Sequence, residues 1–264
     1  MIDIHSHILW GLDDGAQNPT ISMDLARIAA DHGTTAIFAT PHVLASAQHI
    51  PWETITAKTA ELNADSQRQG INLTVYPGAE LEMNWDMVDL IRDGHSDYCL
   101  AGSDYLLVEL PFQTIPPYAD EFIYQMQLRG KNPIIAHPAR HMKLMAHPEI
   151  LRNWLDKGVL LQCNGGSFTG FFGKHVQANA QMLLRNNMVH FIGSDAHRVE
   201  GRNTNLTGAK TEIIKLAGTA RAEELMDTNP QKILDNKVLI PTVPDVIQTT
   251  TEKKGFWSKL FHRK

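Results

Sequence analysis

The chain has 264 residues, 43% of them hydrophobic, enough to bury one large core on the scale of a single α/β barrel. A net charge of −5 gives little attraction to nucleic acid, and no run of 18 apolar residues is present to span a membrane. Cys99 and Cys163 form neither a disulfide framework nor a CxxC pair, and the N-terminus reads as a candidate site rather than a basic-then-apolar leader, so a cytoplasmic protein is predicted.

In chain order, residues 2–4 read as a short strand running into His5-Ser6-His7, with Asp14 following in an Asp-Asp-Gly turn. A helix is predicted over 20–32, stopped by Gly33. The apolar run 34–39 is a buried strand ending at Thr40-Pro41-His42, and 51–69 is a helix stopped by Gly70. Strands at 73–76 and 106–109 run into Gly78-Ala79-Glu80 and Glu109-Leu110-Pro111. A helix at 118–129 leads to a strand at 133–136 and His137-Pro138, then a helix at 148–157 to a strand at 159–163. A Gly-rich loop, 164–173, and a helix, 174–186, precede the last strand, 189–192, and Gly193-Ser194-Asp195-Ala196-His197. There is no internal repeat, so one domain is predicted over 1–244, with a tail at 245–264.

Near-continuous apolar strands separated by helices read as parallel strands covered by helices. Seven such units, with no GxGxxG or Walker loop, favour a closed (β/α) barrel over an open sheet. In barrels the chemistry sits at the carboxyl ends of the strands. Six of the seven predicted ends here carry ionisable candidates: His5 and His7, His42, Glu80, Glu109, His137, and Asp195 with His197. Any one of them alone reads as a solvated carboxylate or a hydrogen-bonded core histidine; their convergence on one rim argues for a site. Imidazole with carboxylate suits Mn, Fe or Zn better than Mg or Ca.

These motifs, in this order, resemble the PHP (polymerase and histidinol phosphatase) metal-dependent superfamily. More narrowly, the opening MIDIHSHILWGLDDGA and Ile-Ala-His-Pro-Ala-Arg resemble the bacterial PHP protein-tyrosine phosphatases of capsule and exopolysaccharide clusters. The resemblance implies a distorted seven-stranded (β/α) barrel. It also implies a three-metal centre with ligands His5, His7, Asp14, His42, Glu80, Glu109, His137, Asp195 and His197. Nine N/O ligands exceed what one ion uses, so two or three divalent ions are expected, Mn first and Fe or Zn next, with Glu80 available to bridge. Clustered ions acidify a shared water and clamp the oxygens of an in-line displacement. A phosphate ester also needs cationic clamps, and Arg140 and Arg202 lie near the ligands in sequence. The resemblance assigns phosphate contacts to the same two positions.

A cysteine phosphatase is excluded, because six residues after Cys99 stands Tyr105 and six after Cys163 stands Thr169, where Cys-x5-Arg requires arginine. Phe168, Phe171 and Phe172 of the Gly-rich loop, Trp10, and the segment 43–52 are candidates for the substrate rim. His32, His95, His141, His147, His175 and His190 read as structural or solvated. The expected activity is hydrolysis of phosphotyrosine on a partner protein by a metal-activated hydroxide. The resemblance implies that the partner is a membrane-associated tyrosine autokinase controlling capsular or exopolysaccharide synthesis. Two alternatives stand beside it: a small-molecule phosphatase of the histidinol-phosphate kind and a non-catalytic barrel that binds phosphoproteins. A nuclease or polymerase-associated PHP domain is disfavoured by the acidic charge. Residues 252–264 carry a net +4, leaving −9 on the rest, and Phe256, Trp257, Leu260 and Phe261 would share one side of a short helix. That pattern suits reversible attachment to an anionic membrane surface or to an acidic groove on a partner.

Overall fold

The computed structural model describes residues 1–45 and 50–248. The expected rim segment 43–52 is thus covered only in part, and the aromatic face expected at 256–261 lies outside the described residues. The chain opens with β1 (Ile2–Ser6), α1 (Pro19–Asp31), β2 (Ala36–Ala39), β3 (His42–Val43) and α2 (Trp52–Arg68). It continues through β4 (Thr74–Pro77), β5 (Glu80–Glu82), β6 (Tyr105–Glu109), α3 (Ala119–Leu128), β7 (Asn132–Ile135), α4 (Met142–Ala146) and α5 (Pro148–Asp156). Then come β8 (Leu160–Asn164), α6 (Gly165–Thr169), α7 (Lys174–Arg185), β9 (Phe191–Gly193), α8 (Thr207–Ala217), α9 (Thr219–Glu223) and α10 (Asn229–Leu234).

Every strand pairing is parallel, in two sheets ordered β1-β2-β4 and β3-β5-β6-β7-β8-β9. The first sheet meets the end of the second through a bridge from Ser6 to Ala196 and through Asp195 N–H donating to His5 O at 2.7 Å. The result is a single α/β domain with a curled parallel sheet. The seven strands expected from the sequence are nine among the described residues. The extra breaks fall between β2 and β3, where Pro41 has no N–H to give a ladder, and between β4 and β5 at Gly78. At Gly78 an added Cβ would meet Leu100 at 2.7 Å, so only glycine lets the chain pass.

Alternate strand residues divide between two apolar clusters, as the two-residue pleat requires. Ile37, Val75, Leu106, Val108, Ile135 and Leu161 join Leu25, Leu62, Phe122 and Trp154 of the covering helices. Ile2, Ile4, Phe38, Tyr105, Leu107, Ile134 and Phe191 form the other cluster, which faces away from those helices and is closed by Ile233 of α10. Helix α1 begins at a capped Asn18, whose side chain accepts Ile21 N–H at 3.1 Å, with Pro19 in the first turn. Past the last helix, Pro244 O accepts Arg152 Nε–H at 2.7 Å and Gln248 N–H donates to Asn186 at 2.8 Å, which lays 244–248 against α5 and the end of α7.

Candidate metal centre

Seven of the nine strands hand a polar side chain to the same rim: His7 after β1, His42 opening β3, Glu80 opening β5, Glu109 closing β6, His137 after β7, Asn164 closing β8 and Asp195 after β9. His137 (φ +33) and Asp195 (φ +54) are held in the left-handed region, a strained conformation for non-glycine residues that functional sites often contain. Two glycines allow the approach of the neighbouring chains. A Cβ on Gly15 would overlap His7, and one on Gly193 would stand 2.5 Å from Cβ of His5.

Hydrogen bonding fixes which atoms face the middle. His137 N–H donates to Gln162 Oε1 at 3.1 Å; a backbone amide can only donate, so Gln162 presents its oxygen there. The same oxygen lies 3.3 Å from His5 Nδ1, which therefore carries the ring proton and leaves Nε2 bare. His7 Nδ1 likewise faces Asp13 Oδ2 at 2.7 Å, while that oxygen also accepts His42 N–H at 2.9 Å. The two Nε2 atoms stand 3.2 Å apart. Glu80 Oε2 lies 3.2 Å from both. Asp195 Oδ1 completes the group at 3.5 and 3.3 Å. Glu80 Oε2, Asp195 Oδ1 and His42 Nδ1 are buried with no hydrogen-bond partner among the described residues. Lone pairs converging without a donor between them demand positive charge, which is the chemistry of a divalent-cation site.

Three such groups overlap: His5, His7, Glu80 and Asp195; His7, Asp14, His42 and His197; and His42, Glu80 and Glu109, each with candidate atoms within 4.8 Å of one another. His137 joins them by Nε2 at 2.9 Å from Glu80 Oε1 and 3.3 Å from Glu109 Oε1. The electrostatics carry the same demand. Burial opposes charge on His7, yet hydrogen bonds to Asp13, Asp195 and Glu80 hold its pKa well above the ordinary value. Burial is likewise outweighed at His137, raised to about 9 by Glu109 and Glu80, and at Glu80 and Asp195, held well below the carboxylate range by the histidines. His197 is the exception: burial and the nearby charge of His7 lower it to about 4, which keeps its ring neutral near pH 7.

Beside this centre lie two guanidinium groups. Arg140 Nη1 donates to Asp195 Oδ2 at 2.9 Å, and Arg202 Nη2 pairs with the same oxygen. Phenyl rings flank Arg140, Phe112 at 4.9 Å and Phe172 at 4.5 Å from its central carbon. Such rings shield a guanidinium from water while leaving its N–H edge free to meet an anion.

The family model for capsular polysaccharide synthesis, CpsB/CapC, matches residues 1–235. The chain belongs to the CpsB/CapC family. It is 32% identical to the tyrosine-protein phosphatase YwqE of Bacillus subtilis (strain 168), over 94% of this chain and 97% of that one. It is 28% identical to the tyrosine-protein phosphatase CpsB of Streptococcus pneumoniae, over 90% and 100% of the two chains. It is also similar to a solved structure from the pair YwqE and CpsB, described as unique metal-dependent tyrosine phosphatases, with a TM-score of 0.87 and 33% identity over 94% of this chain and all of that one.

In this CpsB/CapC chain the nine residues singled out from the sequence lie together, although Asp14 holds its place with a side chain 70% exposed. Arg140 and Arg202 lie on the rim with them. The expected loop 164–173 is instead the end of β8 followed by α6, and Phe168 within it is fully buried, which removes it from the rim. Trp10 is half-buried beneath Lys58 Nζ at 4.3 Å. The strand end without an ionisable candidate, that of β8, supplies Gln162 and Asn164. Gln162 Nε2 donates to Asn164 Oδ1 at 2.9 Å, and Asn164 Nδ2 donates to Asp195 Oδ2 at 2.5 Å. Polar residues at alternate positions of an otherwise apolar strand were the available signal. Asp13 and Phe112 have no such signal: Asp13 stands beside a chemically equivalent Asp14, and nothing in the sequence draws Phe112 to Arg140.

Proposed function

We propose that this CpsB/CapC protein is a metal-dependent protein-tyrosine phosphatase, hydrolysing phosphotyrosine on a partner protein. What carries the reading is the convergence of bare donor atoms at His5, His7, Glu80 and Asp195 beside the Arg140–Arg202 pair. A dianionic monoester matches both halves: oxygens for cations, and non-bridging oxygens for guanidinium forks. The nine residues His5, His7, Asp14, His42, Glu80, Glu109, His137, Asp195 and His197 are assigned as ligands to two or three divalent ions, Mn first and Fe or Zn next. When bound, such ions supply Lewis-acid stabilisation of a phosphoryl group and a water acidified near neutral pH.

The chain's own residues do the rest. Arg140 and Arg202 hold the ester's non-bridging oxygens, and Asp195 Oδ2 keeps both guanidinium groups turned to the centre. Asp13 orients His7, Gln162 orients His5, and Asn164 fixes the rotamer of Asp195. The nine strands are read as one seven-membered closed barrel, with β2–β3 and β4–β5 each counted as one interrupted strand. The partner is assigned as a membrane-associated tyrosine kinase of capsule synthesis, and the segment 251–264 as a reversible attachment to the membrane's inner face or to that partner. Among the described residues no helix is long and apolar enough to cross a membrane.

Turnover of a phosphotyrosyl peptide against histidinol phosphate, with Mn supplied, tests the activity. The peptide is expected to give the higher kcat/KM. Preference for histidinol phosphate, or no turnover of either, overturns the reading.

A further inference from the structure

Nine large apolar side chains are exposed among the described residues, and isolated ones are ordinary on a protein surface. Four of them are not isolated. Trp85 follows β5, Phe112 follows β6, Met142 follows β7 and Phe171 follows β8, at 46%, 47%, 72% and 53% exposure. Those four strands are neighbours in the sheet, so each strand end in turn presents one apolar side chain on the rim that holds the candidate centre.

Contacts join Trp85, Phe112 and Phe171 into one arc, and Met142 adjoins it as the chain neighbour of His141. The segment 111–118 is its keystone. Tyr118 packs edge-on against Trp85, with ring centroids 6.1 Å apart. His141, next to Met142, lies by Nε2 3.0 Å from Pro111 O and 3.3 Å from Thr114 O. Phe112 lies parallel to the His137 ring at 5.8 Å and against Arg140, whose other ring neighbour is Phe172. Phe171 meets Phe172 edge-on at 5.0 Å. The arc thus runs from Trp85 through Phe112 to Arg140 and on to Phe171, with apolar surface on both sides of the guanidinium.

We propose that this arc is a docking surface for the polypeptide carrying the phosphotyrosine, and that it selects segments with apolar residues on both sides of that tyrosine. The inference rests on the phosphatase reading above. The occupant follows from continuity: a phosphoester seated on Arg140 has its leaving group beside Phe112 and Phe172, and only a chain extending both ways reaches Trp85 and Phe171. A small phosphate ester would leave Trp85 and Met142 uncovered. Aromatic and methionine side chains are also those enriched in protein-recognition surfaces.

The test is steady-state kinetics of the full chain with Mn. The substrates are a phosphotyrosyl peptide with leucine and phenylalanine flanks, the same peptide with serine flanks, and p-nitrophenyl phosphate. The wild type is expected to favour the apolar peptide by roughly tenfold in kcat/KM, carried by KM. Trp85→Ser and Met142→Ser, both surface changes, are expected to bring that ratio toward one, with p-nitrophenyl phosphate turnover reporting an intact centre. Equal kcat/KM for the two peptides in the wild type overturns the docking surface while the phosphatase reading stands. So do variants that keep the full ratio, or that lose all three substrates in equal proportion. Turnover of p-nitrophenyl phosphate and of neither peptide overturns both.

Discussion

Asn164 donates its side-chain amide to Asp195 Oδ2 at 2.5 Å, and this turns the other oxygen, Oδ1, toward His5 and His7. The bond has a direction because Gln162, fixed by the His137 amide, occupies Asn164 Oδ1. Two neutral amides on one strand thereby set the tautomer of His5 and the rotamer of Asp195. Residues that orient ligands in this way typically change metal affinity or activity by about 10–100-fold when removed. Asn164→Ala is expected to fall in that range in turnover, and Gln162→Ala to lose metal affinity by a similar factor, measured by competition with a chromogenic chelator. Wild-type affinity in Gln162→Ala would remove the orienting role.

Arg140→Ala should lose turnover of phosphate esters and keep its metals. The guanidinium is assigned to the ester oxygens, so its loss is expected to cost about 2–4 kcal/mol of transition-state stabilisation, as for other preorganised charge-stabilising donors. Asp195 keeps Asn164 and Arg202 as partners in the variant. Metal content by elemental analysis and kcat on a phosphotyrosyl peptide separate the two properties. Full activity, or loss of the metals, contradicts the assignment.

Chelator is expected to abolish activity, added Mn to restore it, and thiol alkylation to leave it untouched. Cys99 and Cys163 are fully buried, and burial pushes both thiols up to about 12, so neither offers a thiolate near neutral pH. Inactivation by iodoacetamide that a Cys163→Ser change prevented would be incompatible with the metal mechanism.

The difference between what could and could not be read from the sequence follows from range. Strands that are apolar to their last residue and then turn polar mark their own carboxyl ends, so His5, His7, His42, Glu80, Glu109, His137, Asp195 and His197 were legible as one rim. Asp13 and Asp14 are chemically alike and adjacent; only the fold turns Asp13 back to His7 and leaves Asp14 facing His197 at 3.3 Å. The breaks after β2 and β4 depend on Pro41 and on the Leu100 side chain beside Gly78, the second a tertiary contact. The three glycines at 165, 166 and 170 give α6 the composition of a loop, and α8 to α10 lie beyond the last element the sequence predicts. Strand β9 begins at Phe191 rather than 189 because the His190 ring, not a strand carbonyl, accepts the Leu161 N–H at 3.1 Å.

That ring also predicts an acid limit to stability. His190 is buried, and its Nδ1 accepts the Leu161 amide while Nε2 has no partner among the described residues. Burial, with the positive charge of Arg221 nearby, lowers its pKa from 6.5 to about 3. In the unfolded chain the ring takes up a proton near pH 6.5; in the folded chain it remains neutral until about pH 3. Between those values the unfolded state holds the extra proton, so its share of stability is whole above about pH 6.5 and declines as pH falls toward 3. The slope is about 1.4 kcal/mol per pH unit. His190→Asn keeps an acceptor for the Leu161 amide and removes the titration, with some loss of packing at every pH. Urea unfolding of both proteins at a series of pH values isolates the group, since other titrations are common to the two. The stability advantage of the wild type over His190→Asn should shrink steadily from pH 7 to pH 4. Parallel curves across that range would mean that His190 is already protonated in the folded protein, or that Nε2 finds a partner the buried ring does not display.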